Sequence, residues 1–222
     1  MKKLKYIVPV LIALVGLGLQ QAKADTFSFN ISVGNPAVSG YPGPYASVTV
    51  NRTDSTHATI TFTSLTNSGN IYLMGDGSSV AVNVNAGSWT LSGLTASNSG
   101  TGFSPGPLSD GGSGNVDGFG VLNQTINSFD GFTHSSDSIS FTLTNSSGTW
   151  ATAASVLIAN AQGVFAAMHV FVTSSPANAA NGAIATGFAA NGGSQVPDGG
   201  TTVMLLGAAL GALGMARRFV MG

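Results

Sequence analysis

The 222-residue chain contains no cysteine and no glutamate, and between Asp25 and Val196 it has no lysine and a single arginine, Arg52. Each absence closes a class of chemistry. Without cysteine there is no disulfide, no thiolate zinc site and no thiol nucleophile, whatever the redox state of the compartment, so the fold must stand on its core. Without glutamate the usual glycosidase and zinc-protease carboxylates are missing; a pair of aspartates remains open in principle, but no spacing favours one. No Gly-x-Ser-x-Gly nucleophile elbow occurs either. Without clusters of lysine or arginine the central region cannot neutralise phosphates, which excludes nucleic acid as a partner and disfavours anionic lipid. Long apolar runs are lacking as well. The two candidates, residues 7–19 and 203–216, both fall short of the ~20 residues that span a bilayer.

The overall charge of −1 hides a strong partition. Lys2, Lys3, Lys5 and Lys23 sit at one end and Arg217 and Arg218 at the other, whereas Asp25, Asp54, Asp76, Asp110, Asp117, Asp130 and Asp137 stand against Arg52 alone. One cation against seven carboxylates leaves residues 25–196 at a formal −6. Residues 1–24 have the three parts of a secretory signal: a basic start, an apolar run interrupted by Pro9, Gly16 and Gly18, and Ala22-Lys23-Ala24 as a small-x-small cleavage site. Cleavage after Ala24 by signal peptidase, following export through the Sec machinery, would leave Asp25 at the amino terminus.

The C-terminal segment, residues 196–222, places Val196-Pro197-Asp198-Gly199-Gly200 before an apolar run that is stopped by the basic pair Arg217-Arg218. Motif, hydrophobic stretch and basic stop together resemble the PEP-CTERM class of bacterial sorting signals, in the variant that reads Val-Pro-Asp-Ser-Gly; here Gly199 replaces the serine. The resemblance implies an exosortase-type membrane protease as partner, cutting near the motif after transient insertion in the inner membrane. It implies export to the cell surface or matrix and says nothing of activity. The arginines suit a cytoplasmic stop, and Pro-Asp-Gly-Gly suits an extended, cleavable backbone. A permanent C-terminal anchor is the alternative.

Between the two ends, short segments rich in Thr, Ser, Val, Ile and Phe alternate apolar and polar residues and are separated by Gly, Asn, Asp and Pro. That is the pattern of an all-β protein. Phe27, Phe29, Ile31 and Val33 share one strand face, and the pattern recurs at 47–51, 58–65, 71–74, 80–85, 88–91 and 138–144. Residues 164–172 are apolar on both faces and read as a central strand. The expected fold is a single antiparallel β-sandwich over residues 25–188, flanked by an N-terminal signal helix and a short C-terminal hydrophobic helix. Residues 98–114 read as a Gly/Ser-rich loop or edge excursion, and residues 189–195 as a flexible linker. Ala166-Ala167-Met168-His169-Val170-Phe171 is similar to a block found ahead of the sorting signal in many PEP-CTERM proteins, and implies no catalytic role.

Few groups offer site chemistry. His169 alternates with Phe165 and Phe171, which fits a core imidazole held by a hydroxyl or backbone group better than a metal ligand or catalytic base. Asp130, His134 and Asp137 share a loop but match no established ligand spacing, and turn capping explains them equally well. The glycine-rich stretch from Asp110 to Gly120, with Asp117, has the composition of a calcium loop without its ladder of ligands. No metal site, catalytic residue or cofactor is assigned on these grounds. Tyr41, Tyr45, Tyr72, Trp89 and Trp150 are the aromatic candidates for carbohydrate contact; Tyr41 and Tyr45 flank a Pro-Gly-Pro turn and fit a solvent-facing role, whereas Trp89 and Trp150 fit core positions better. The leading expectation is an exported, non-enzymatic surface or matrix protein, held in exopolysaccharide by many weak contacts from Ser, Thr and Asn. A carbohydrate-binding module with an aromatic platform and a secreted hydrolase are the alternatives.

Overall fold

A computed structural model describes residues 24–192. The signal segment up to Lys23, with Ala22, and residues 193–222, with Val196–Gly200, Arg217, Arg218 and both expected flanking helices, lie outside the described residues. Among the described residues no helix is long and apolar enough to cross a membrane. The elements in order are β1 (Asp25–Ile31), β2 (Val33–Gly34), β3 (Ala46–Arg52), β4 (His57–Ser64), β5 (Thr66–Asn67), β6 (Asn70–Met74), β7 (Asp76–Val82), β8 (Trp89–Ser97), β9 (Ser109–Val116), β10 (Gly120–Ser128), β11 (Ser138–Asn145), β12 (Ala166–Ser174) and β13 (Ala185–Ala190). Three single 3-10 turns, at Phe132–His134, Ala153–Ser155 and Ala179–Asn181, complete them.

The strands form two antiparallel sheets. The first has the order β1-β3-β4-β11-β8, and the second runs β2-β13-β12-β7-β10-β9 with β6 also paired to β12. Strand β12 is long enough to hold two partners end to end on the same side, β7 along Ala166–Met168 and β6 along Val170–Ser174. Alternation explains the first sheet directly. In β11 every second residue, from Ile139 to Asn145, is buried, and β3 and β4 do the same through Val48, Val50, Ile60 and Phe62. These side chains meet Val80, Val82, Ile126, Met168 and Val170 of the second sheet in one buried cluster. Each fully buried aliphatic or aromatic side chain contributes roughly 1.5–3 kcal/mol, so this shared cluster carries most of the fold.

The second sheet is apolar on its outer side too. Leu73, Phe103, Phe171 and Ala177 make one smaller buried cluster there, and Ala81, Phe119, Leu122, Val164 and Ala190 another. Loops cover them, which is why β12 is buried at every position from Ala166 to Val172 except His169. Two expectations are corrected at this level. Ala189 and Ala190, expected in the flexible linker, are the fully buried end of β13, paired with Gly34 and Val33. Residues 109–116, within and just beyond the expected Gly/Ser loop, are edge strand β9, which pairs with β10; the hairpin register, not side-chain alternation, holds this glycine-rich segment extended.

Candidate functional site

The aromatic platform does not form. Tyr45 is 2% exposed, its hydroxyl donates to the Tyr41 carbonyl at 2.7 Å, and its ring meets Tyr72 edge-on at 4.7 Å. The Tyr72 hydroxyl in turn donates to the Pro42 carbonyl at 2.6 Å. Burial pushes both phenols above their usual pKa. Tyr41 packs half-buried against the core. The Pro-Gly-Pro turn is therefore pinned by rings that point into the protein, and the solvent-facing reading of Tyr45 is withdrawn. Trp89 donates its indole N–H to Gln124 Oε1 at 2.8 Å, and buried Trp150 donates to the Asn85 carbonyl at 2.7 Å, each satisfying the polar edge of a ring that fills the interior.

The acidic and imidazole groups are dispersed. Asp137 accepts from the Ser99 N–H and hydroxyl, both at 2.7 Å, and from the Ser97 hydroxyl at 3.2 Å, while His134 turns back to the Asp130 carbonyl at 3.1 Å. Asp137 and His134 thus serve different local turns. The Asp110–Gly120 stretch is hairpin rather than loop. Asp110 accepts from Gln124 Nε2 at 2.7 Å and from the Gly112 N–H at 2.8 Å, and Asp117 at the far end accepts from Asn35 Nδ2 at 2.9 Å. Among the described residues no three carboxylate or imidazole groups come close enough to hold a metal ion.

Two carboxylates are held below their ordinary pKa. Asp25 is lowered first by the Ala153 N–H it accepts at 2.8 Å and then by Arg52, whose Nε lies at 2.6 Å; burial opposes both. This joins β1 to β3 and to the Ala153–Ser155 turn. Asp54 is lowered by the N–H of Thr56 and by the His57 ring in an exposed turn. His169 is stacked on Phe188, with centroids 4.4 Å apart, and on Phe171 at 5.3 Å; its Nε2 lies 2.9 Å from the Thr186 hydroxyl. A neighbouring hydroxyl and a backbone carbonyl do hold this ring, which is half-buried.

The outer face of the first sheet is a continuous polar surface. The strand register aligns Thr26, Asn51, Thr59, Thr142 and Ser92 in one row across all five strands. The next row is Ser28, Thr49, Thr61, Ser140 and Thr95, and the third is Asn30, Ser47, Thr63, Ser138 and Ser97. All fifteen positions are hydroxyl or carboxamide side chains and none is buried. Rows repeat about every 6.7 Å along the strands and about every 4.8 Å across them. Three cross-strand hydroxyl pairs lie within it: Ser28 with Thr49 at 3.1 Å, Thr59 with Thr142 at 3.1 Å, and Thr61 with Ser140 at 3.0 Å. Sequence alternation marks the polar positions of each strand. The neighbour relation of β4 and β11, some eighty residues apart, is what assembles them into an array.

Comparison with known families gives one finding, outside the described residues. Residues 195–218 match the VPDSG-CTERM motif, a PEP-CTERM-like sorting signal. Such a signal implies an exported, surface-sorted chain processed by exosortase-type machinery. No curated protein and no solved structure matches the chain.

Proposed function

We propose that the chain is a non-enzymatic protein of the cell surface or extracellular matrix, a single two-layer β-sandwich held among exopolysaccharide. The motif at residues 195–218 carries this reading, because it fixes the route on which the other statements depend. The chain enters the Sec pathway, loses residues 1–24 to signal peptidase, rests transiently in the inner membrane through its C-terminal apolar run, and is cut near Val196–Gly200. The fold supports both ends of that account. Strand β1 starts at Asp25, the residue that cleavage after Ala24 leaves first, and β13 ends at Ala190, a few residues before the motif. The motif thus follows the last described strand in sequence. The uncharged polar face of the first sheet supports residence among hydrated polymers.

The test is intact-mass spectrometry of the protein recovered from its native cell surface and medium. A species beginning at Asp25 and ending between Val196 and Gly200, with or without added glycan, is expected. A surface species that retains Gly222 would make the C-terminal run a lasting anchor and overturn the sorting account.

A further inference from the structure

We infer that the outer face of the first sheet, the array centred on Thr49, Thr61 and Ser140, is a binding surface for uncharged polysaccharide chains; this rests on the matrix reading above and names the site and the ligand class within it. The two sheets differ in a way that composition alone does not produce. The second sheet puts Leu73, Ala81 and Phe171 on its outer side and covers them with loops. The first puts no aliphatic or aromatic residue at any of the fifteen outer positions, and among the described residues nothing buries them. A Ser/Thr-rich chain thus concentrates its strand hydroxyls on one side.

Their chemistry selects the ligand. A hydroxyl is one donor and two acceptor sites, so each of the three cross-strand pairs spends the single donor of one partner and leaves the other partner's donor, and acceptor sites on both, available. Sugar hydroxyls have the same dual character. No charged side chain lies within the three rows, so an anionic polymer finds no counterion there; the one carboxylate at the margin is Asp137, which accepts from the Ser97 hydroxyl at 3.2 Å. The seven aspartates of the described residues lie at strand ends, turns and the other sheet, where they oppose anionic polymers further. Short β-branched threonines lose little freedom on contact, and a polymer lying along the rows makes many weak contacts at once, so avidity replaces a deep pocket.

Sheet twist decides between a chain and a crystal. Adjacent strands rotate by about 20–25°, so a flat lattice such as an ice plane can register with only part of five strands, whereas a flexible chain follows the surface.

The experiment is affinity electrophoresis of the mature chain purified from its native surface. The gels contain dextran, laminarin, galactomannan or the uncharged fraction of the producing cells' own exopolysaccharide, with alginate as the anionic arm. Variants are the triple Thr49→Val, Thr61→Val, Thr142→Val, which keeps shape and strand propensity, and the single Thr61→Lys, which keeps solubility. The double Thr66→Val, Thr133→Val, away from the array, is the control, and far-UV circular dichroism verifies folding of each.

We expect retardation by at least one uncharged polymer that persists at molar salt, an affinity about tenfold lower in both array variants, and a control within about twofold of wild type. Equal retardation of wild type and both array variants overturns the site and leaves the matrix reading standing. Retardation by alginate alone overturns the ligand class. Retention in a growing ice front that the array variants lose makes ice the occupant instead. No retardation by any polymer overturns the inference, and recovery of the wild-type protein from the matrix fraction of intact cells, scored separately, decides whether the matrix reading falls with it.

Discussion

His169 shows how one residue can be polar, central to a strand and still structural. Its Nδ1 lies 3.3 Å from the Gly77 carbonyl, which only accepts, so Nδ1 carries the proton and Nε2 accepts from the Thr186 hydroxyl. That neutral tautomer satisfies both ring nitrogens between two phenylalanines. Burial lowers the pKa from the ordinary 6.5, while Asp76 and the Gly77 carbonyl pull weakly in the other direction. The sign follows from linkage: the unfolded chain takes up this proton at higher pH than the folded one. The stability contributed by the neutral ring is therefore complete above pH 6.5 and is lost as pH falls through the lower folded value. His169→Phe, which keeps the stack and abolishes the titration, should flatten the dependence of the urea midpoint on pH between about 7.5 and 5. An unchanged slope in the variant would assign that dependence to another group.

At the scale of the element, β8 shows how an edge strand keeps in register with its neighbour. Gly93 has φ +62°, and the register with β11 shifts there by one residue, between the pairs Thr142–Ser92 and Ser140–Thr95. The bulge restores Thr95 and Ser97 to the outer face; without it they would turn inward. A Cβ at Gly93 has room, its closest neighbour being Thr142 Oγ1 at 3.6 Å, so substitution costs backbone conformation rather than a clash. Gly93→Ala should therefore lower stability by about 1–2 kcal/mol in urea unfolding. Gly40→Ala, at an open site with no positive φ, should stay within about 0.5 kcal/mol of wild type. Equal effects at the two sites would mean that β8 does not need the bulge.

Elements of this kind also mark what a reader of the sequence can and cannot see. Strands β1, β3, β4 and β11 are legible because each alternates apolar and polar residues. Strand β10 is not, because its buried positions include Gln124, Thr125 and Ser128 beside Leu122 and Ile126; the Gln124 carboxamide is held there by the Trp89 indole N–H and by Asp110, contacts that no alternation pattern shows. Strand β9 is nearly bare of side chains that could carry a pattern.

At the scale of the molecule, the hydroxyl array was present in the sequence as alternate residues of four strands and, across the bulge, as Ser92, Thr95 and Ser97 of β8, but not as a surface, since strand order is set by long-range pairing. Tyr45 failed as an exposed contact for the opposite reason. A Pro-Gly-Pro turn marks the surface, yet the flanking ring had a buried slot beside Tyr72 to fill.

The shared cluster makes a last prediction about cooperativity. Phe62 of β4 is fully buried in the cluster to which both sheets contribute, and its truncation removes contacts on the sheet that bears the array and on the sheet that bears His169. Phe62→Ala should cost about 3–5 kcal/mol, as large cavities in close-packed cores do. Because neither sheet has another large cluster on the array side, the two should melt together. The indole resonance of Trp89, in the first sheet, and the ring-proton resonance of His169, in the second, should disappear at one denaturant concentration in the variant as in wild type. If the native His169 signal outlasted that of Trp89, the second sheet with its covered outer clusters would be a folding unit of its own, and the array would be the part of the molecule that opens first.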